Sequence, residues 1–166
     1  MIHLYTGNGG GKTTSALGVA MRALGHGKKV VMIQFMKGRK DTGEFKIQKR
    51  LKNFKVYQFG RKECIRPLDQ PLKIDYELAE KGLAMAEKVL KQKPFLLILD
   101  EINLAASIGL LDKEKVLEVL KKKPKQTNII LTGRYALEEF IRLADISTRV
   151  EDEKRTDRKA EKGIEY

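Results

Sequence analysis

The stretch YTGNGGGKTTSALG, residues 5–18, follows the apolar opening MIHL and decides how the rest of the chain is read. Glycine, lysine and threonine at this density describe a loop whose backbone N–H groups can turn inward around phosphate oxygens. In the common pattern G-x-x-x-x-G-K-S/T, Lys12 is the lysine, Gly11 the glycine before it and Thr13 the hydroxyl. Thr6 stands where the leading glycine of that pattern belongs. Residues 2–5 read as a strand, and TTSALGVAMRALG, 13–25, reads as a helix with Leu17, Ala20, Met21 and Leu24 on one face. GHG at 25–27 stops that helix. A tight glycine turn with an incidental lysine explains less, because strand, loop and helix all agree.

Outward from the loop, short apolar runs alternate with helical patterns. KVVMIQF, 29–35, and FKVYQF, 54–59, read as strands, with a shorter helix around 43–52 between them. Residues 60–74 are irregular, and Asp75 is the predicted cap of a helix reaching about residue 92. FLLILDE, 95–101, is a continuous apolar run ending in two carboxylates, as suits a strand buried on both faces. Asp112 caps a helix over KEKVLEVLKKK, TNIILTGR is a strand, ALEEFIRLA a helix and ISTRV a last short strand. The expected fold is therefore α/β: a single-domain P-loop nucleotide-binding fold of RecA-like kind, mostly parallel sheet with helices on both faces. Residues 1–150 would form the nucleotide-binding domain and 151–166 a polar tail packed on it.

Composition narrows the field. A chain of 166 residues, 42% hydrophobic and 34% charged, suits one globular domain with a heavily charged surface. No apolar run approaches the roughly 20 residues of a membrane span, and no leader is expected ahead of the loop. The single cysteine, Cys64, excludes an internal disulfide and fits a reducing cytoplasm. His3 and His26 lie far apart, which argues against a His/Cys zinc cluster. The net charge of +12 suits either a nucleic-acid partner or a solvated surface that attracts an anion such as ATP. Lysines interleaved with glutamates, and the absence of tryptophan, favour the second reading. No nucleic-acid and no membrane partner is expected.

The candidate site follows from the loop. Thr6, Gly7, Asn8, Gly9, Gly10, Gly11, Lys12, Thr13 and Thr14 form the expected ATP cradle, aided by the dipole of the helix that starts near Lys12. Lys12 would neutralise the terminal phosphates, and the Thr13 hydroxyl would ligate Mg²⁺. Asp100 and Glu101 end a predicted strand and so face the same crevice. One can hold the metal and the other contact it or polarise a group, which makes Lys12 and Glu101 the catalytic candidates. The bland alternative makes both acids caps of a helix over INLAAS. Thr132, Gly133 and Arg134 end another strand, and Arg134 can meet phosphate or a second substrate. Lys37, after the second strand, borders the crevice as well.

TGNGGGKTT, RALGHGKKV, QFMKG, LILDEIN, LTGR and the terminal KGIEY, in this order, resemble the P-loop ATP:corrinoid adenosyltransferases of cobalamin biosynthesis and salvage. The family loop commonly begins Thr-Gly-Asn-Gly, which accounts for Thr6. The resemblance implies transfer of the 5′-deoxyadenosyl group of ATP to Co(I) of a reduced corrinoid (cobalamin or cobinamide), with release of triphosphate. It further implies Mg²⁺, a flavoprotein reductant, a homodimer, a nucleotide-orienting role for Arg22, and corrinoid contacts near Phe59, Arg61 and Arg134. Two departures stand out. Gly10 replaces a frequent lysine, and QFGRKECIRP lacks the tryptophan-containing cluster that several members carry there. The other readings are a small P-loop kinase or ATPase, since Asp100-Glu101 resembles the water-activating pair of such enzymes, and an ATP-regulated nucleic-acid-binding module.

Overall fold

Strands β1 (Ile2–Thr6), β2 (Val30–Phe35), β3 (Phe54–Phe59), β4 (Leu96–Asp100), β5 (Asn128–Thr132) and β6 (Ile146–Arg149) form one sheet in the order β3-β2-β4-β5-β1-β6. Every pairing is parallel, so all six strands end at the same edge. The computed structural model describes residues 1–62, 70–157 and 159–166. Between the strands run α1 (Lys12–Gly25), α2 (Gly43–Ile47), α3 (Lys73–Lys91), α4 (Ile102–Ser107), α5 (Lys113–Lys121) and α6 (Glu138–Leu143).

Alternation along each strand divides the core in two. Leu97 and Leu99 of β4 face α3 to α6, in a cluster with Ile33, Leu83, Val89, Val116 and Phe140. Leu96 and Ile98 face the other way, against Ala16, Ala20 and Ala23 of α1. Small residues on that face of α1 let the helix lie close to the sheet. The loop before α1 is thereby held over the strand ends. Strand β5 separates β1, which feeds the loop, from β4, which carries the acids.

Helices α2 and α3 show the largest departures from the sequence expectation. Helix α3 starts at Lys73, and Asp75 lies inside its first turn, where Oδ2 accepts the Leu72 N–H at 2.8 Å. The carboxylate therefore caps from the third helical position rather than from before the helix. Helix α2 ends at Ile47 instead of reaching 52. Gln48 turns its side chain away to accept the Val56 N–H at 3.0 Å, and the chain reverses through hydrogen-bonded turns into β3.

Candidate nucleotide-binding site

The loop between β1 and α1 is shaped by two glycines. Gly11, immediately before α1, has φ 96°, a left-handed conformation that side chains with a Cβ rarely adopt. Gly9 approaches the chain after β6 so closely that a Cβ would lie 2.6 Å from the Glu151 carbonyl carbon, and its N–H donates to Val150 O at 2.9 Å. The Lys12 side chain is buried and folds back along the loop. Its Nζ donates to Gly7 O at 2.8 Å and to Gly9 O at 2.6 Å. Burial lowers its pKa from the usual amine value, against an opposing pull from Glu101. An ammonium in that state gains from an anion brought alongside it.

Opposite the loop, Asp100 is fully buried at the end of β4. Its Oδ1 accepts from Thr13 Oγ1 at 2.8 Å and from Thr132 Oγ1 at 2.7 Å. Its Oδ2 accepts from Lys37 Nζ at 2.7 Å and from Gln34 Nε2 at 3.1 Å. Burial would push this carboxyl up, but Lys37 and the hydroxyl donors outweigh it and hold the group below the ordinary value. The next residue behaves oppositely: burial and the Asp100 charge push Glu101 up. Glu101 also has φ 63° as the residue preceding α4, and its N–H donates to Thr132 Oγ1 at 3.0 Å. A non-glycine residue in the left-handed region, held by a hydrogen bond at a crevice, is stored strain that aims a side chain.

The oxygens of Thr13 and Asp100 suit a hard dication. In this structure the Lys37 ammonium bridges them, 3.2 Å from Thr13 Oγ1 and 2.7 Å from Asp100 Oδ2. Among the described residues no group of three or more His, Cys, Asp or Glu is positioned to hold a metal unaided. A Mg²⁺ held by Thr13, Asp100 and Glu101 would take its remaining ligands from phosphate and water, which is its usual habit.

A cavity of about 820 Å³ opens over this arrangement, lined by residues 9–14, Glu101 and Arg134 on the body of the protein. Its outer wall is the tail, through Asp152, Lys154, Arg155 and Ile164. The tail reaches far across the strand ends, since the Tyr166 ring lies 4.5 Å from the Arg39 guanidinium, beyond β2. Gly9 to Thr14, Glu101 and Arg134 line the cavity, with Gly7, Lys37 and Asp100 joined to them by hydrogen bonds, whereas Thr6, Asn8, Arg22, Phe59 and Arg61 do not line it. The Thr6 hydroxyl accepts the Ala136 N–H at 3.2 Å, Asn8 is exposed, and Arg22 is exposed in the last turn of α1, about 15 Å along the helix from Lys12. Phe59 packs against the core, and Arg61 binds both Asp75 oxygens at 2.8 and 3.1 Å. Neither lines this cavity. Of the stretch QFGRKECIRP around Phe59 and Arg61, residues 63–67 lie outside the described residues. Sequence reasoning passed over Gln34, Asp152 and Arg155. A glutamine inside the apolar run VVMIQF was the signal for the first, and nothing local marked the tail residues.

These features define a P-loop nucleotide-binding α/β protein whose glycine loop and strand-end aspartate share one crevice. Comparison with known proteins carries the assignment further. The chain belongs to the ATP:corrinoid adenosyltransferase BtuR/CobO/CobP family, which it matches over residues 1–166. It is similar to the corrinoid adenosyltransferase of Sinorhizobium sp, at 34% identity over 100% of this chain and 80% of that protein. It is likewise similar to that of Pseudomonas aeruginosa, at 34% identity over 98% of this chain and 82% of that one. Corrinoid adenosyltransferase CobA of Salmonella typhimurium is 31% identical over 100% and 85% respectively. Among solved structures, flagellar accessory protein FlaH from Methanocaldococcus jannaschii matches with TM-score 0.55 over 89% of this chain and 69% of that one. At 13% identity that likeness concerns the fold alone. The protein is an enzyme, a corrinoid adenosyltransferase.

Proposed function

We propose that the enzyme moves the 5′-deoxyadenosyl group of ATP onto Co(I) of a reduced corrinoid and releases triphosphate. The Co(I) electron pair forms the bond to C5′, the C5′–O bond breaks, and the pair from that bond leaves on the triphosphate. Cobalt is the nucleophile, so the protein has to align C5′ and stabilise the departing charge. One observation carries this reading: the cavity has a phosphate cradle along one wall, and no Cys, His or Ser among its described lining residues. Lys12 and the loop amides would receive the growing charge, with Arg134 on the same side. Mg²⁺ held by Thr13, Asp100 and Glu101 would supply Lewis-acid stabilisation of the leaving group. Phe59, Arg61 and Arg134 remain the residues proposed to meet the corrinoid. A homodimer, a flavoprotein reductant and a cytoplasmic setting complete the reading by family resemblance. Among the described residues no helix is long and apolar enough to cross a membrane.

Glu101 motivates one competing reading. It lines the cavity, and its raised pKa makes it a proton acceptor able to activate water for a kinase or ATPase. Phosphorus NMR with ATP and chemically reduced cobalamin separates the two. The expected products are triphosphate and a light-sensitive cobalt–carbon species, formed only when both substrates are present. Stoichiometric ADP without adenosylcorrinoid would overturn the transferase reading.

A further inference from the structure

Gly10 lies at the crest of the loop, and its N–H points at a side chain from the tail. Asp152 Oδ1 accepts that N–H at 2.9 Å. The other oxygen, Oδ2, is gripped by Arg155 through Nε at 2.7 Å and Nη2 at 2.6 Å. The Gly10 N–H and Arg155 together hold the Asp152 carboxyl below its usual range. An anionic oxygen therefore already sits on a loop amide, with an arginine closing over it. Arg155 is also directly above the loop backbone, since a Cβ built on Gly10 would lie 3.4 Å from Nη2. Both residues line the same cavity as Lys12 and Thr13.

We infer that Arg155 is a phosphate-binding residue of this site, delivered by the tail and parked over the loop by Asp152. The inference rests on the reading of residues 6–14 as a phosphate loop. A polyphosphate seated on that loop brings its own oxygen to the Gly10 N–H, and like charge drives the Asp152 carboxylate off. Arg155 has five N–H donors in a planar fork and engages Asp152 through Nε and Nη2. Its guanidinium then meets the polyphosphate over Gly10. Gly10 offers the loop no cation of its own, so the tail arginine supplies one at the same place. The expected ligand chemistry is a linear triphosphate, either as part of ATP or alone.

Calorimetric titration of the full chain with MgATP and with magnesium tripolyphosphate tests this. Arg155→Ala is expected to weaken both ligands about tenfold or more, and to the same degree, because the contact is to phosphate. Lys12→Ala serves as the control for the loop. If it leaves tripolyphosphate binding unchanged, the loop reading itself fails and the inference falls with it. Since a Cβ at Gly10 meets nothing closer than 3.4 Å, Gly10→Lys can put an ammonium into the space that Arg155 vacates. Recovery of tripolyphosphate affinity in the Gly10→Lys, Arg155→Ala double variant is the expected result, and absence of recovery shows a merely structural role and refutes the proposal. Binding by Arg155→Ala equal to that of the unaltered chain, with Lys12→Ala impaired, also overturns it.

Discussion

At the scale of single residues, the site is a balance of buried charges. Lys12 is buried against carbonyl oxygens and lowered in pKa by desolvation, so its charge is poorly matched until an anion joins it. Lys12→Ala is therefore expected to cost ATP binding about 1.5–3 kcal/mol, the value of a charge-assisted contact, while the midpoint of thermal unfolding changes little. Unchanged ATP affinity in a calorimetric titration would remove Lys12 from the phosphate site. The spacing of Gly11, Lys12 and Thr13 made these residues legible from the sequence, because a phosphate cradle needs adjacent amides and an adjacent ammonium. Gln34 was less legible. Its partners, Asp100 and Glu44, are brought to it only when β2 and β4 pair and α2 folds over them. Asp152 was illegible for a stronger reason, since it meets Gly10 across 142 residues of chain.

Among elements, existence was easier to read than boundaries. The strands announced themselves by apolar runs, as in FLLIL before Asp100, whereas α3 begins three residues earlier than a cap at Asp75 suggested. A carboxylate can cap a helix from before it or from its third position, and the local sequence does not choose. The choice has consequences for stability. Asp75 is buried, accepts the Leu72 N–H and binds Arg61, so it ties the start of α3 to the chain leaving β3. Burial works to raise its pKa, but Arg61 and the Leu72 N–H prevail and hold it below the ordinary 3.8. The pair therefore adds stability at every pH above that ordinary value, and the contribution disappears as pH falls through the lower, folded-state pKa. Asp75→Asn is expected to destabilise by about 2 kcal/mol at neutral pH and by progressively less in stronger acid. Chemical denaturation at neutral pH and in acid checks the sign, and a destabilisation that grows in acid would refute the pairing argument.

The whole molecule adds what neither residues nor elements contain, the route of the tail. Polar composition suggested only that residues 151–166 lie on the surface, and none of the described ones is buried. The basic surface is partly matched by acids, as in Lys115–Glu80 and Lys122–Glu87. Among the tail's ties to the body, the Asp152 contact to Gly10 is exposed and the Arg39 contact to the Tyr166 ring is half-buried. Surface contacts of that kind contribute little to stability, which leaves the two-sided core to carry the fold. A chain ending at Val150 keeps β6 and the Gly9 N–H bond to Val150 O. It is expected to unfold cooperatively, with a midpoint lowered by only a few degrees, because surface contacts of this kind add little to stability. Its cavity loses the wall formed by Asp152, Lys154, Arg155 and Ile164, so ATP affinity should drop about tenfold or more. A collapsed, aggregating truncation would mean that the tail belongs to the folding unit, and unimpaired ATP binding would mean that it walls nothing. Unfolding by circular dichroism and ATP titration on the same preparation keep those two outcomes apart.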